Sequence, residues 1–304
     1  MGAPRRNIPY YPGCTLKTKA SNFESSAIEC ARVLGMEMVE IPEWNCCGTV
    51  FSLTSDDLIH HVGPIRNLIR VQEMSGNGVP EDENRVLTLC SMCFNTLKRS
   101  NLRMRENPDD LETVNDFMDT EEDYRGEIEV VHFLEVLRDL GAEAIAEKVV
   151  NSLEGLNVAA YYGCMLLRPK EVGIDDPEEP KIMDGILGAL GARVIYNSYM
   201  KVCCGSYQVM HDKYAVARLV RDIINHARED GAEVIATSCP LCAHNLDDRQ
   251  REVKELDPDF EEMPVFYFTE LMGLAFGLKP KASAADLHYV SATDLLKEKQ
   301  LLSF

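Results

Sequence analysis

Ten of the eleven cysteines in this 304-residue chain fall into two copies of one arrangement. The first copy reads Tyr10-Tyr11-Pro12-Gly13-Cys14, then Asn45-Cys46-Cys47-Gly48, then Leu89-Cys90-Ser91-Met92-Cys93. The second reads Tyr161-Tyr162-Gly163-Cys164, then Val202-Cys203-Cys204-Gly205, then Ser238-Cys239-Pro240-Leu241-Cys242. Between the leading cysteine and the pair lie 31 residues in one copy and 38 in the other, and between the pair and the CxxC lie 42 and 34. An identical order of elements with unequal loops is the pattern of a duplication. Thiolates are soft metal ligands and redox-active nucleophiles, so clusters of this kind point to metal or redox chemistry.

The number five narrows the choice. A structural zinc takes four ligands, and an ordinary four-iron cubane takes four cysteines. A lone CxxC suits zinc as well as iron, but zinc at the CxxC pairs leaves the Cys-Cys-Gly motifs without a role. A metal-free dithiol is a further alternative. Disulfides are a poor account of adjacent cysteines, whose geometry is unfavourable, and with no apolar stretch behind the N-terminal arginines the segment 1–10 is not read as an export signal. A reducing, cytoplasmic setting is therefore expected. Cys30 stands outside the repeat on the helical apolar stretch 27–34 and reads as a small buried hydrophobe. Gly13, Gly48, Gly163 and Gly205 flank the cysteines; each suits a turn or the close approach of a bulky cofactor.

Composition adds exclusions. A net charge of −19 repels phosphate backbones, which disfavours nucleic acid. No apolar run approaches the roughly 20 residues of a membrane span. No GxGxxG after a strand and no P-loop occurs, so a nucleotide or flavin is not expected to be bound by this chain itself.

The elements that must position the cysteines are short apolar strands alternating with helical segments. In the first half the pattern predicts strands at 8–11, 36–41, 85–89 and 129–133, with helices at 25–34 and 58–73. In the second half strands are predicted at 157–162, 192–196, 233–237 and 264–268, and helices at 180–190 and 214–229, followed by a polar helical stretch after the CxxC. Each group of cysteines follows a strand. The fold class is α/β: two tandem duplicated domains, 1–150 and 151–304, each a small parallel sheet flanked by helices. A pseudo-two-fold relation would turn the cysteine-bearing strand ends, where ligands of parallel sheets collect, toward a shared interface.

The repeated Cys…Cys-Cys-Gly…Cys-x-x-Cys pattern resembles the CCG-domain proteins, and over essentially its whole length the chain resembles the B-subunit family of heterodisulfide reductases from methanogenic archaea. The resemblance implies two non-cubane 4Fe-4S clusters, in which some thiolates bridge irons. It assigns Cys14, Cys46, Cys47, Cys90 and Cys93 to cluster one and Cys164, Cys203, Cys204, Cys239 and Cys242 to cluster two. The gap of 42 residues after Cys47 exceeds the family's usual spacing, and the excess is assigned to the Gly/Pro/acidic stretch 75–83.

The implied reaction is reduction of the mixed disulfide of coenzyme M and coenzyme B to two thiols. Two one-electron sites match the two electrons that a disulfide requires. The substrate's anionic groups call for basic residues, and Lys17, Lys19, Arg168, Lys170 and Lys201 lie near the cysteines in sequence; all are equally compatible with a solvated surface. His132 and His211 are candidate proton donors. The resemblance also implies partners: the heterodisulfide reductase C subunit, which carries cubane clusters, the electron-bifurcating A subunit, which carries flavin, and, through them, a hydrogenase or formate dehydrogenase. The acidic stretches 106–123 and 247–262 read as solvated faces or docking surfaces, and the tail 282–304 as packing on the body or on a partner protein. Other CCG-domain oxidoreductases, of thiol–fumarate, lactate or glycolate type or in a quinone-reductase anchor, are alternatives, as is a non-catalytic zinc-bearing assembly module.

Overall fold

Residues 6–49, 57–75, 84–278 and 287–301 are described by the structure, a computed structural model. The first half runs β1 (Arg6–Tyr11), α1 (Gly13–Leu16), α2 (Ser21–Val33), β2 (Met36–Glu40), α3 (Val62–Ser75), β3 (Arg85–Thr88), α4 (Ser91–Glu106), α5 (Pro108–Phe117) and β4 (Glu129–His132). Helices α6 (Phe133–Leu140) and α7 (Ala142–Ala146) lead into β5 (Asn157–Tyr161), α8 (Ile182–Ala189), β6 (Arg193–Ile195), α9 (Lys213–Glu229) and β7 (Val234–Thr237). After α10 (Pro240–Ala243) come a π-helical turn (His244–Asp248), α11 (Gln250–Leu256), β8 (Val265–Tyr267), α12 (Phe268–Ala275) and α13 (Thr293–Glu298).

The eight strands form two four-stranded sheets of the same order, β2-β1-β3-β4 and β6-β5-β7-β8. Every described strand pair is parallel. Helices cover the sheet faces, so the central strands β3 and β7 read as continuous apolar runs and are almost wholly buried. In this order the chain goes to one side of the first strand and then to the other. The switch opens a crevice beyond the C-terminal ends of β1 and β3, and of β5 and β7. The duplication predicted from the cysteines is thus a duplication of topology.

Helix boundaries differ from the sequence pattern where tertiary contacts decide. The helix expected from residue 25 begins at Ser21, because Asn22 and Phe23 find partners in the other half. The helix expected from residue 58 starts as a 3-10 turn (Leu58–His61). Its α-helical part opens at Val62, which puts Pro64, lacking an N–H, in the first turn. The loop assigned to the longer gap lies, at 76–83, outside the described residues.

The halves interlock by reciprocal helix packing: α2 lies on α12, and their counterparts α8 and α6 lie on each other. Phe23 stacks on Tyr267 with ring centroids 4.2 Å apart and planes 3° from parallel. Asn22 Nδ2 donates to Glu270 at 2.9 Å, Ser26 and Thr269 hydroxyls meet at 2.7 Å, and the Cys30 thiol donates to the Thr269 carbonyl at 3.5 Å. Cys30 is fully buried, and burial pushes its thiol up, as for a packing residue.

The described part of the tail packs back on the second half. The Tyr289 and Val290 amides donate to Asp247 at 2.6 and 3.0 Å, and Lys299 pairs with Glu233 at 2.7 Å. His288 lies 3.0 Å from Glu270 and 3.8 Å from Asp247; burial alone would lower its pKa, but these carboxylates raise it. Among the described residues no helix is long and apolar enough to cross a membrane.

Candidate metal centres

Each group of cysteines is fixed by the strand before it. Cys90 and Cys239 come two residues after β3 and β7 and are the N-caps of α4 and α10, so the next turn brings Cys93 and Cys242 back to the same edge. The Cys-Cys loops are tied to the first strands by a repeated device. Tyr11 and Tyr161, each three residues before the leading cysteine, donate to the carbonyl of the residue before the pair, Asn45 and Val202. Gly13 and Gly163 have φ of +70° and +67°, and a Cβ there would stand 2.9 Å from Cys93 Sγ and 3.2 Å from Cys242 Sγ. Both the backbone angle and the nearness of sulfur therefore call for glycine at these two positions.

The sulfurs form a series. Cys47 Sγ lies 3.5 Å from Cys93 Sγ, and Cys204 Sγ 3.6 Å from Cys242 Sγ. Cys46 interacts with Cys47, Cys93 with Cys90, Cys242 with Cys239, and Cys203 with both Cys204 and Cys164. Across the interface Cys90 interacts with Cys239, and Ser91 and Ser238 hydroxyls lie 3.3 Å apart. The order 46–47–93–90–239–242–204–203–164 thus brings the two sets together across the interface, where the Ser91–Ser238 contact lies beside Cys90 and Cys239. Cys14 is exposed near the first group, within electrostatic reach of Cys46, and its sulfur lies 3.8 Å from the Thr15 hydroxyl.

Thiols this close cannot all ionise together. Contact with Cys46 and Cys93 holds Cys47 low, contact with Cys164 and Cys204 holds Cys203 low, and contact with Cys242 and Cys90 holds Cys239 low. The neighbours are pushed up in return. Among the described residues no three Cys, His, Asp or Glu side chains converge on a point suited to one ion. A soft, buried, multi-thiol donor set strung along an edge fits a polynuclear iron–sulfur group better than a single zinc. At the second site a small cleft is lined by Cys164, Cys203, Cys204, Cys239 and Cys242, with Ser91 and Met92 contributed by the first half.

The basic residues behave unequally. Lys17 pairs with Glu24 at 2.7 Å and Glu40 at 2.5 Å, and Arg168 pairs with Glu178 at 2.9 Å. Lys201 also pairs with Glu178. Lys17 thus meets two carboxylates, while Arg168 and Lys201 share one; Lys19 and Lys170 are exposed, as are Lys17 and Arg168. His211 is exposed at the end of the 3-10 turn Ser206–Met210. His132 is fully buried, accepts from Leu134 N–H at 3.2 Å, and lies 2.8 Å from the Leu89 carbonyl. Burial lowers it to about 4, so its ring is neutral at physiological pH and serves as a helix cap.

A cysteine-rich domain model, that of the CCG family, matches residues 8–98 and again 158–247. The chain belongs to the CCG family. Its 32% identity to the 8-methylmenaquinol:fumarate reductase membrane anchor subunit of Wolinella succinogenes spans 96% of this chain and 99% of that protein. It is 26% identical to the B subunit of the ferredoxin/F420H2-dependent CoB-CoM heterodisulfide reductase of Methanosarcina acetivorans, over 90% of each chain. A hypothetical protein from Helicobacter pylori has the same fold, with a TM-score of 0.71 at 12% identity over 95% of this chain. The present chain spans about half of that one, 53%.

Two elements of these CCG domains escaped the sequence reading. Tyr11 and Tyr161 carried a signal, their equal offset from the leading cysteines. Asn67, which grips the first Cys-Cys loop through Asn45 N at 2.9 Å and Asn45 O at 3.0 Å, carried none, being 22 residues away on α3.

Proposed function

We propose that the chain is the disulfide-reducing component of a cytoplasmic heterodisulfide reductase, acting on the coenzyme M–coenzyme B mixed disulfide at two non-cubane 4Fe-4S clusters. At a coarser level the chain is a CCG-domain oxidoreductase subunit, like its relatives. The observation that supports the finer reading is the meeting of the two cysteine sets at the interface, where Ser91 and Ser238, next to Cys90 and Cys239, lie 3.3 Å apart and the thiols of Cys90 and Cys239 interact. Cys14, Cys46, Cys47, Cys90 and Cys93, in domain 1–150, would hold one cluster. Cys164, Cys203, Cys204, Cys239 and Cys242, in domain 151–304, would hold the other. When bound, such clusters supply electrons singly.

The chain's own residues hold the thiols at the interface, where two sulfurs of one substrate can be met from opposite sides. Burial of Cys90, Cys93, Cys239 and Cys242 keeps bulk water from the meeting point. Lys19 and Lys170 are left for the substrate's anionic groups, with His211 as an exposed proton source. Lys17, Arg168 and Lys201 would have to exchange a carboxylate for the substrate first. Electrons would arrive from a hydrogenase or formate dehydrogenase through the flavin-bearing and cubane-bearing partners.

A second reading is a component of an 8-methylmenaquinol:fumarate reductase, favoured by the 32% identity across 99% of the Wolinella protein. Electron paramagnetic resonance of the oxidised protein separates the two. A paramagnetic signal that develops only with coenzyme M supports the disulfide substrate. A spectrum indifferent to the thiol, together with electron transfer from a methylmenaquinol in the assembled complex, supports the second reading and contradicts the first.

A further inference from the structure

The duplication is broken at one buried side chain. In the first half α4 runs unbroken from Ser91, and Asn95, two residues after Cys93, sends its amide to the Met165 and Arg168 carbonyls of the other half, at 2.7 Å each. In the second half the corresponding helix is interrupted by the π-helical turn His244–Asp248. A π turn inserts one residue and rotates the helix beyond it, and such turns recur at functional sites. Here it carries Asn245, three residues after Cys242 and fully buried, onto the Cys-Cys loop of its own half. Its Nδ2 donates to the Cys204 carbonyl at 3.2 Å, the Ser206 carbonyl at 3.0 Å and Cys204 Sγ at 3.5 Å.

The amide's orientation follows from its partners. With two carbonyls on that side, turning the group over would set oxygen against oxygen. The other end, Oδ1, is buried without a partner, so the loop and the sulfur are where this side chain's bonding is spent. The first half solves the same problem differently: Cys47 Sγ meets the Thr49 hydroxyl at 3.0 Å, a group that can rotate to donate or to accept. Ser206, the counterpart of Thr49 in the repeat, leaves its own hydroxyl buried and unpartnered. One cysteine therefore faces a fixed amide N–H and its counterpart a rotatable hydroxyl.

We infer that Asn245 is a positioning residue that sets the reduction potential of the second cysteine site, so that the two sites of the duplicated fold are unequal electron acceptors. An N–H donated to a ligating sulfur withdraws charge from it and stabilises the reduced form, which raises the potential. The inference rests on the proposed presence of iron–sulfur clusters at both sites.

The test is a spectroscopic redox titration of the metal-loaded protein, comparing wild type with Asn245→Leu and Thr49→Val. The expected result is a more negative midpoint for the second site in Asn245→Leu, with the first unchanged and the iron retained. Thr49→Val should leave the second midpoint unchanged. Iron retained with both midpoints at their wild-type values in Asn245→Leu overturns the inference and leaves the clusters standing. Wild-type protein that takes up no iron overturns the proposed clusters instead. Should Asn245→Leu lose its iron, Asn245→Met, which is uncharged, fills a similar volume with a flexible chain and has no N–H to donate, is read in its place. Loss of iron there too makes Asn245 a holder of the loop and refutes its role in setting the potential.

Discussion

Serine in place of Cys47 or Cys204 is expected to abolish disulfide reduction, with each variant losing turnover as completely as the other. Both residues are buried members of the Cys-Cys pairs, and each sulfur stands about one van der Waals contact from the second cysteine of its CxxC, at 3.5 Å for Cys47–Cys93 and 3.6 Å for Cys204–Cys242. Each therefore links the pair to the CxxC within its own site. A hydroxyl keeps the volume but replaces a soft donor by a hard one, which iron–sulfur groups accept poorly. Cys30→Ser is the control: it lies on α2 against Thr269, away from both sites, and should leave turnover intact. Steady-state reduction of the mixed disulfide checks all three. Near-normal rates in Cys47→Ser and Cys204→Ser, with their metal retained, would sink the two-site account.

Phe23→Ala is expected to be the most destabilising substitution at the seam between the halves, by about 3–5 kcal/mol. The ring is fully buried, lies flat on Tyr267 and meets Phe268 edge-on at 6.0 Å. Truncation removes this packing and leaves a cavity between α2 and α12, beside the Asn22–Glu270 and Ser26–Thr269 bonds. Against a total stability of roughly 5–15 kcal/mol for a typical domain, that is a large fraction. Tyr267 also lies within electrostatic reach of Cys239 and Cys90, so loosening the stack should disturb the contact between the two cysteine sets. Denaturant unfolding of the variant measures the loss. A change under about 1 kcal/mol would mean that the halves are joined chiefly elsewhere.

Much of this architecture was legible in the chain because strands and cysteines carry local signals. The strands announce themselves as short apolar runs, and the order of the cysteine motifs repeats, which is why sheet type and the placement of cysteines at strand ends could be read directly. The rest could not be read because it depends on partners far away in sequence. Phe23 extends α2 toward the N-terminus because Tyr267 is there to receive it. Lys17, Arg168 and Lys201 look available until Glu24, Glu40 and Glu178 are brought to them. His132 looks like a proton donor until burial and the Leu89 carbonyl hold it neutral. Asn245 left only a faint trace, one extra residue between its CxxC and the asparagine compared with Asn95.

Metal content of the anaerobically purified chain is the decisive measurement of whether both cysteine sets hold polynuclear iron–sulfur groups. About eight irons per chain, four for each cluster, with acid-labile sulfide, are expected. About two zincs per chain with no iron would contradict this expectation and favour a structural module.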